Sequence, residues 1–143
     1  MSPAYFQLSA FWHILTGMRY LGIDYGSKRV GIAISDPTKT IASPLTVLKN
    51  DSTLISEISD ICKNKSIELV VVGESKNFDF RDNFIMKEIR PFVENLKKTL
   101  GIPVNYHPEF LTSREAEHIQ GGGEMLDASA AALILKSYIE TNK

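Results

Sequence analysis

With only one cysteine, Cys62, the chain can form no internal disulfide, which fits a reducing cytosol. Cys62 falls on the apolar side of an expected helix and reads as a core residue rather than a nucleophile. No apolar run approaches the roughly 18 residues that a membrane span requires, so no membrane partner is expected. Excess charge is missing too. Sixteen basic side chains stand against 17 acidic ones, a formal net charge of -1, so a polyanion would have to be held by a local patch or through metal ions. Neither a P-loop lysine motif nor a Gly-x-Gly-x-x-Gly fingerprint is present. His13, His107 and His118 are too scattered for a zinc motif, and no cysteine pair accompanies them. Residues 1–17 contain no Lys or Arg and lack the basic start and longer apolar core of a secretory signal. They are expected to form a disordered or loosely docked extension, with residues 18–143 making one folded domain.

The most informative stretch is Met18 to Asp36, MRYLGIDYGSKRVGIAISD. Two runs of strand formers, Arg19–Asp24 and Arg29–Ser35, are joined by a short polar turn, the pattern of a β-hairpin. Alternation puts Leu21 and Ile23 on one face of the first strand and Gly22 and Asp24 on the other. The second strand sets Val30, Ile32 and Ile34 against Gly31 and Ala33. If the two small-residue faces coincide, Asp24 stands over a surface cleared of bulk, open to a ligand. Asp is also common where strands end, so a turn role for Asp24 is the alternative.

Farther along, Thr40–Leu48 reads as a third strand whose Pro44 points to a sheet edge or a bulge. Asp51 is the expected N-cap of a helix whose buried stripe is Leu54, Ile55, Ile58, Ile61 and Cys62. The run Ile67–Gly73 is apolar through its centre, as in a strand covered on both faces. A polar loop from Glu74 to Asn83 follows. Loops leaving the carboxyl ends of strands gather ligands in open α/β sheets, which makes Glu74, Lys76, Asn77 and Arg81 candidates for substrate contact. The next helix carries Ile85, Ile89, Phe92, Val93 and Leu96 on one side, and Pro91 inside it predicts a kink near Ile89 or two abutting helices. Gly101 caps it. Pro103–Tyr106 is a short strand with Pro108 and Glu109 at its end. Thr112-Ser113-Arg114-Glu115 has the capping-box form and predicts a short helix to about Gln120. The last helix, Leu126–Ile139, is rich in alanine, with Ala130, Leu133, Ile134 and Tyr138 on one face and Asp127 in its first turn, where the helix dipole favours a carboxylate. The order β-β-β-α-β-α-β-α-α predicts an α/β fold, a hairpin-led mixed sheet with helices on both faces.

Gly22-Ile23-Asp24-Tyr25-Gly26 followed by Lys28-Arg29-Val30-Gly31-Ile32-Ala33-Ile34-Ser35-Asp36 resembles the opening of the bacterial pre-16S rRNA nuclease family, also described as Holliday-junction-resolvase-like. The resemblance continues through Val70-Val71-Val72-Gly73, Glu109-Phe110-Leu111-Thr112-Ser113, and Asp127-Ala128-Ser129-Ala130-Ala131-Ala132-Leu133-Ile134-Leu135. It implies a ribonuclease H-like fold and a metal-dependent endonuclease in the cytoplasm. Its metal-holding carboxylates would be Asp24, Glu109 and Asp127, and its cofactor Mg²⁺ or Mn²⁺. Its substrate would be pre-16S ribosomal RNA in the maturing small subunit, with branched DNA as the alternative.

The chemistry explains why carboxylates are wanted. Phosphodiester hydrolysis needs an activated water and neutralised charge on the phosphoryl and leaving oxygens, which two divalent ions about 4 Å apart can supply. Magnesium is held by a few carboxylates plus the substrate phosphate.

The sequence departs from the family pattern at Pro108 and Phe110, where an acidic residue and an arginine usually flank the glutamate, and at the uncharged glycine-rich run before Glu124. Phosphate contact would then shift to Lys28, Arg29, Lys76 and Arg81, with Asn77, Thr112 and Ser113 as further candidates for substrate contact. Two other classes compete. A sugar kinase or actin-like ATPase also opens on a Gly-Ile-Asp hairpin but needs two lobes, more than 143 residues provide. A non-catalytic nucleic-acid-binding module would have no chemical use for the three carboxylates, although each has a structural alternative: a turn, an exposed acid and a helix start.

Overall fold

The computed structural model describes residues 17–76, 84–110 and 125–143. Its elements, in chain order, are β1 (Arg19–Tyr25), β2 (Arg29–Ser35), β3 (Ala42–Lys49), α1 (Leu54–Asn64), β4 (Ile67–Lys76), α2 (Met86–Leu100), β5 (Val104–Phe110) and α3 (Leu126–Thr141). The extension expected over residues 1–17 and the short helix after Thr112 fall almost wholly outside the described residues.

The strands form one mixed sheet in the order β3-β2-β1-β4-β5. β1, β2 and β3 are antiparallel neighbours, while β1, β4 and β5 run parallel, so the carboxyl ends of these three emerge on one edge. Pro44 lies on edge strand β3, where the pairing with β2 slips between Ile32 and Ala33. A proline lacks the N–H that an interior strand must donate, and both expected placements, edge and bulge, occur together.

Hydrophobic alternation sorts side chains to two faces. Leu21, Ile23, Val30, Ile32, Val70 and Val72 pack under α1 and α2. Val71 and Ala33 pack under α3 with Ala131, Ile134, Leu135 and Ile139. β4 is therefore covered on both sides, as its unbroken apolar centre requires. Cys62 is buried in the first of these layers, and burial pushes its thiol up to about 11, which leaves it un-ionised and inert.

Several local details differ from expectation. Thr53, not Asp51, precedes the first turn of α1; the Asp51 carboxylate instead accepts from the Thr53 amide at 2.9 Å and from its hydroxyl at 2.6 Å. Such an Asx turn satisfies a backbone donor one step before the helix begins. α2 is one helix with Pro91 inside it, neither split nor paired. Pro91 lies on the exposed side, where water can serve the Lys87 carbonyl that loses its partner. β5 runs on through Phe110, farther than the four residues expected. On α3 the buried face is Ala128, Ala131, Ile134, Leu135 and Ile139, whereas Leu133 is exposed.

Candidate active site

The sequence suggests that the glycine and alanine face of the hairpin is open to a ligand; instead, α3 occupies it. Gly22 pairs with Ala33 and Asp24 with Gly31, so all four share one face. A Cβ on Gly22 would lie 2.9 Å from the Ala131 carbonyl oxygen and the Leu135 Cβ, and one on Gly31 would lie 1.9 Å from the Asp127 carbonyl oxygen. Small residues on the strands thus let the first turn of α3 rest directly on the backbone. This contact sets Asp127 beside Asp24.

Asp24 lies at the carboxyl end of β1 and lines a cleft of about 250 Å³ with Tyr25, Gly73, Ser75, Ile85, Ile89 and Glu109. Glu109 comes from β5, opposite Ser75 of β4. Its Oε2 and the Ile134 side chain of α3 both lie 2.7 Å from the point where a Cβ on Gly73 would be, so the absent side chain makes room for the carboxylate. Burial, and after it the negative charge of Asp127, pushes the Asp24 carboxyl from 3.8 up to about 7. Asp24 and Glu109 therefore share the cleft, and Asp127 reaches Asp24 electrostatically from the helix above. Among the described residues no three His, Cys, Asp or Glu side chains stand close enough together to hold a metal ion, and Asp127, paired with Arg29, does not line the cleft.

Ser75 is a site residue that the sequence reading did not single out. The sequence suggests a loop there, but Ser75 belongs to β4, is 4% exposed, and has no hydrogen-bond partner for its Oγ among the described residues. A serine closing an apolar strand gave a weak signal; its burial depends on β5 and α2, which sequence spacing does not reveal. Glu74, on the alternate side of the same strand, is a correction in the other direction. Its carboxylate lies 3.7 Å from Arg90 of α2, whose guanidinium sits over the Tyr106 ring, so it takes part in packing rather than lining the cleft.

The candidate cations are unevenly placed. Lys28 is exposed on the hairpin turn, which Asn50 fastens by donating its side-chain amide to Gly26 O at 2.8 Å and its backbone N–H to Lys28 O at 3.0 Å. Ser27 on the same turn donates to Glu88 of α2 at 2.9 Å, tying the turn to the wall of the cleft. Arg29 is engaged by Asp127, its Nε donating to Oδ2 at 3.0 Å. Lys76 closes β4 opposite Phe110. Asn77, Arg81, Thr112 and Ser113 lie outside the described residues. His107 does not line the cleft: its Nε2 is 2.8 Å from Ser137 Oγ, its ring meets Tyr138 edge-on, and burial lowers its pKa.

A family model described as RuvX, Holliday junction resolvase, matches residues 18–141. The chain belongs to the RuvX family. Curated relatives of this RuvX chain bear the name "Putative pre-16S rRNA nuclease". The one from Caldanaerobacter subterraneus subsp. tengcongensis is 36% identical over 137 residues, covering 88% of this chain and 99% of the relative. That from Lactobacillus gasseri is 35% identical over 140 residues, covering 88% and 98%. Among solved structures, Thermus thermophilus RuvC bound to a Holliday junction superposes with a TM-score of 0.55 at 15% identity, covering 87% of this chain and 94% of that one. The fowlpox virus Holliday junction resolvase gives 0.53 at 16% identity, covering 87% and 99%. The RuvX chain thus has the expected ribonuclease H-like fold and is a member of a nuclease family. No helix among the described residues is long and apolar enough to cross a membrane.

Proposed function

We propose that this protein is a divalent-metal-dependent endonuclease of the cytoplasm that trims the 5′ end of pre-16S ribosomal RNA, acting on the precursor of the small ribosomal subunit. Asp24, Glu109 and Asp127 hold Mg²⁺ or Mn²⁺ in this reading. The observation that carries it is the Asp24 carboxyl, buried at a strand end within reach of the Asp127 charge, in a cleft it shares with Glu109. Crowded carboxylates are unfavourable without a cation, and a hard cation relieves them. The donor chemistry suits that ion: the Asp24 and Glu109 carboxylates line the cleft, Asp127 stands beside Asp24, and the Ser75 hydroxyl, without a partner among the described residues, adds a neutral oxygen for bound water.

Bound divalent ions supply a water activated at neutral pH and neutralise charge on the phosphoryl group. The protein's own residues provide the setting. Tyr25, Ile85 and Ile89 give the cleft an apolar wall, which strengthens electrostatic interactions inside it. Lys28 and Arg29 stand exposed at the hairpin turn and the start of β2, where cations can meet the phosphate backbone.

The names of relatives matched over nearly their full length favour ribosomal RNA precursor. The family description keeps a four-way DNA junction as the second substrate. The test is cleavage of a labelled pre-16S 5′ fragment and of a four-way DNA junction in Mg²⁺, Mn²⁺ or EDTA. Metal-dependent cutting of the RNA is expected. Cutting of the junction alone would make the protein a resolvase, and cutting of neither by folded protein would leave the non-catalytic module.

A further inference from the structure

Arg29 opens β2 immediately before Val30, which is fully buried under α1 and α2. Alternation therefore sends the Arg29 side chain out on the α3 face, the side on which Gly31 admits the backbone of Asp127. There the two side chains, 98 residues apart in sequence, form their ion pair. The pair is open to solvent: the Arg29 side chain is 59% exposed and that of Asp127 30%. Exposed pairs are weak and readily exchanged. Arginine keeps its charge at all working pH values, and its donors suit a carboxylate and a phosphate equally well.

We infer that Arg29 is an exchangeable counter-ion, which neutralises Asp127 in the metal-free protein and passes to a substrate phosphate when a divalent cation takes over the carboxylate. The inference rests on the reading of Asp127 as a metal ligand. Its consequence is that metal and nucleic acid bind with positive coupling, each freeing the partner that the other needs, and thermodynamic reciprocity makes the coupling equal in both directions. A fixed positioning contact would behave differently, because Arg29 would then hold Asp127 ready for the metal and its loss would weaken metal binding. A plain phosphate contact would differ again, since it would strengthen nucleic-acid binding whether or not metal is present.

The test uses the full chain as wild type, Arg29→Gln and Arg29→Lys, with thermal unfolding to verify that all three fold. Mn²⁺ affinity is measured by titration without nucleic acid. Affinity for a short labelled single-stranded RNA is then measured against salt in EDTA and in Ca²⁺, with the RNA checked for intactness. Arg29→Gln is expected to tighten Mn²⁺ by about two- to fivefold, the range set by a partly exposed ion pair. It should also lower the salt slope of RNA binding by about 1 in Ca²⁺ while changing it little in EDTA. Arg29→Lys should keep most of the RNA affinity in Ca²⁺. Weaker Mn²⁺ binding by Arg29→Gln, or an equal RNA defect with and without metal, overturns the exchange and leaves the nuclease reading standing. Absence of Mn²⁺ uptake by the wild type overturns both.

Discussion

Gly31 and Asp127 occupy the same space: a Cβ on residue 31 would lie 1.9 Å from the carbonyl oxygen of residue 127 and 2.8 Å from the amide nitrogen of Ala128. A backbone carbonyl cannot swing aside as a long side chain can. Gly31→Ala must therefore lift the start of α3 off the sheet, at a cost of about 1–3 kcal/mol by overpacking. Because Asp127 moves with that turn, activity should fall more than the stability loss accounts for. Thermal unfolding beside single-turnover cleavage at a temperature where the variant is folded checks both.

The Asp24 carboxyl ties stability to pH. In the unfolded chain it ionises near 3.8, and in the folded metal-free protein it keeps its proton to about 7. Between those values the folded state binds the extra proton, so stability falls as pH rises through this window, and the whole loss is present above it. Asp24→Asn has no proton to lose. In EDTA it should match the wild type near pH 4 and exceed it by about 2–4 kcal/mol at pH 7.5. Denaturant unfolding at the two pH values measures the difference, and Mg²⁺ should stabilise the wild type more than the variant at pH 7.5.

Ser75 carries a buried hydroxyl with no partner among the described residues. An unpaired buried polar group costs about 1–3 kcal/mol, so Ser75→Ala should leave the fold as stable or raise its unfolding free energy by about 1 kcal/mol. If the hydroxyl serves water or phosphate in the cleft, the same variant should lose about 10-fold or more in turnover. A gain in stability together with a loss of turnover distinguishes a functional hydroxyl from a packing residue.

How far the sequence could be read depended on the range of the interactions involved. The hairpin and the covered strand β4 were legible because alternation and apolar runs are local signals, and Pro44 marked the edge because a missing N–H has the same consequence in any sheet. The clearing of Gly22, Gly31 and Ala33 was legible as well, but its occupant was not. Small residues show that something approaches closely; only tertiary packing shows that α3, rather than a ligand, fills the space. The buried face of α3 was misjudged at Leu133 because an alanine-rich helix with apolar residues around much of its circumference gives a poorly defined phase. The Arg29–Asp127 pair spans 98 residues and leaves no trace in local spacing. The same holds for the way Gly73 makes room for Glu109, which depends on the register of β4 with β5.

In the proposed reading, Asp24, Glu109 and Asp127 act together on divalent metal to cut nucleic acid. Single-turnover cleavage of the pre-16S 5′ fragment in Mg²⁺, by the wild type and by Asp24→Asn, Glu109→Gln and Asp127→Asn, tests it most directly. Groups that act as one unit fail together, so each variant should lose on the order of 10³-fold in rate and approach the wild type measured in EDTA. Wild-type cleavage by any well-folded member of the three, or cleavage by the wild type that persists in EDTA, would contradict it.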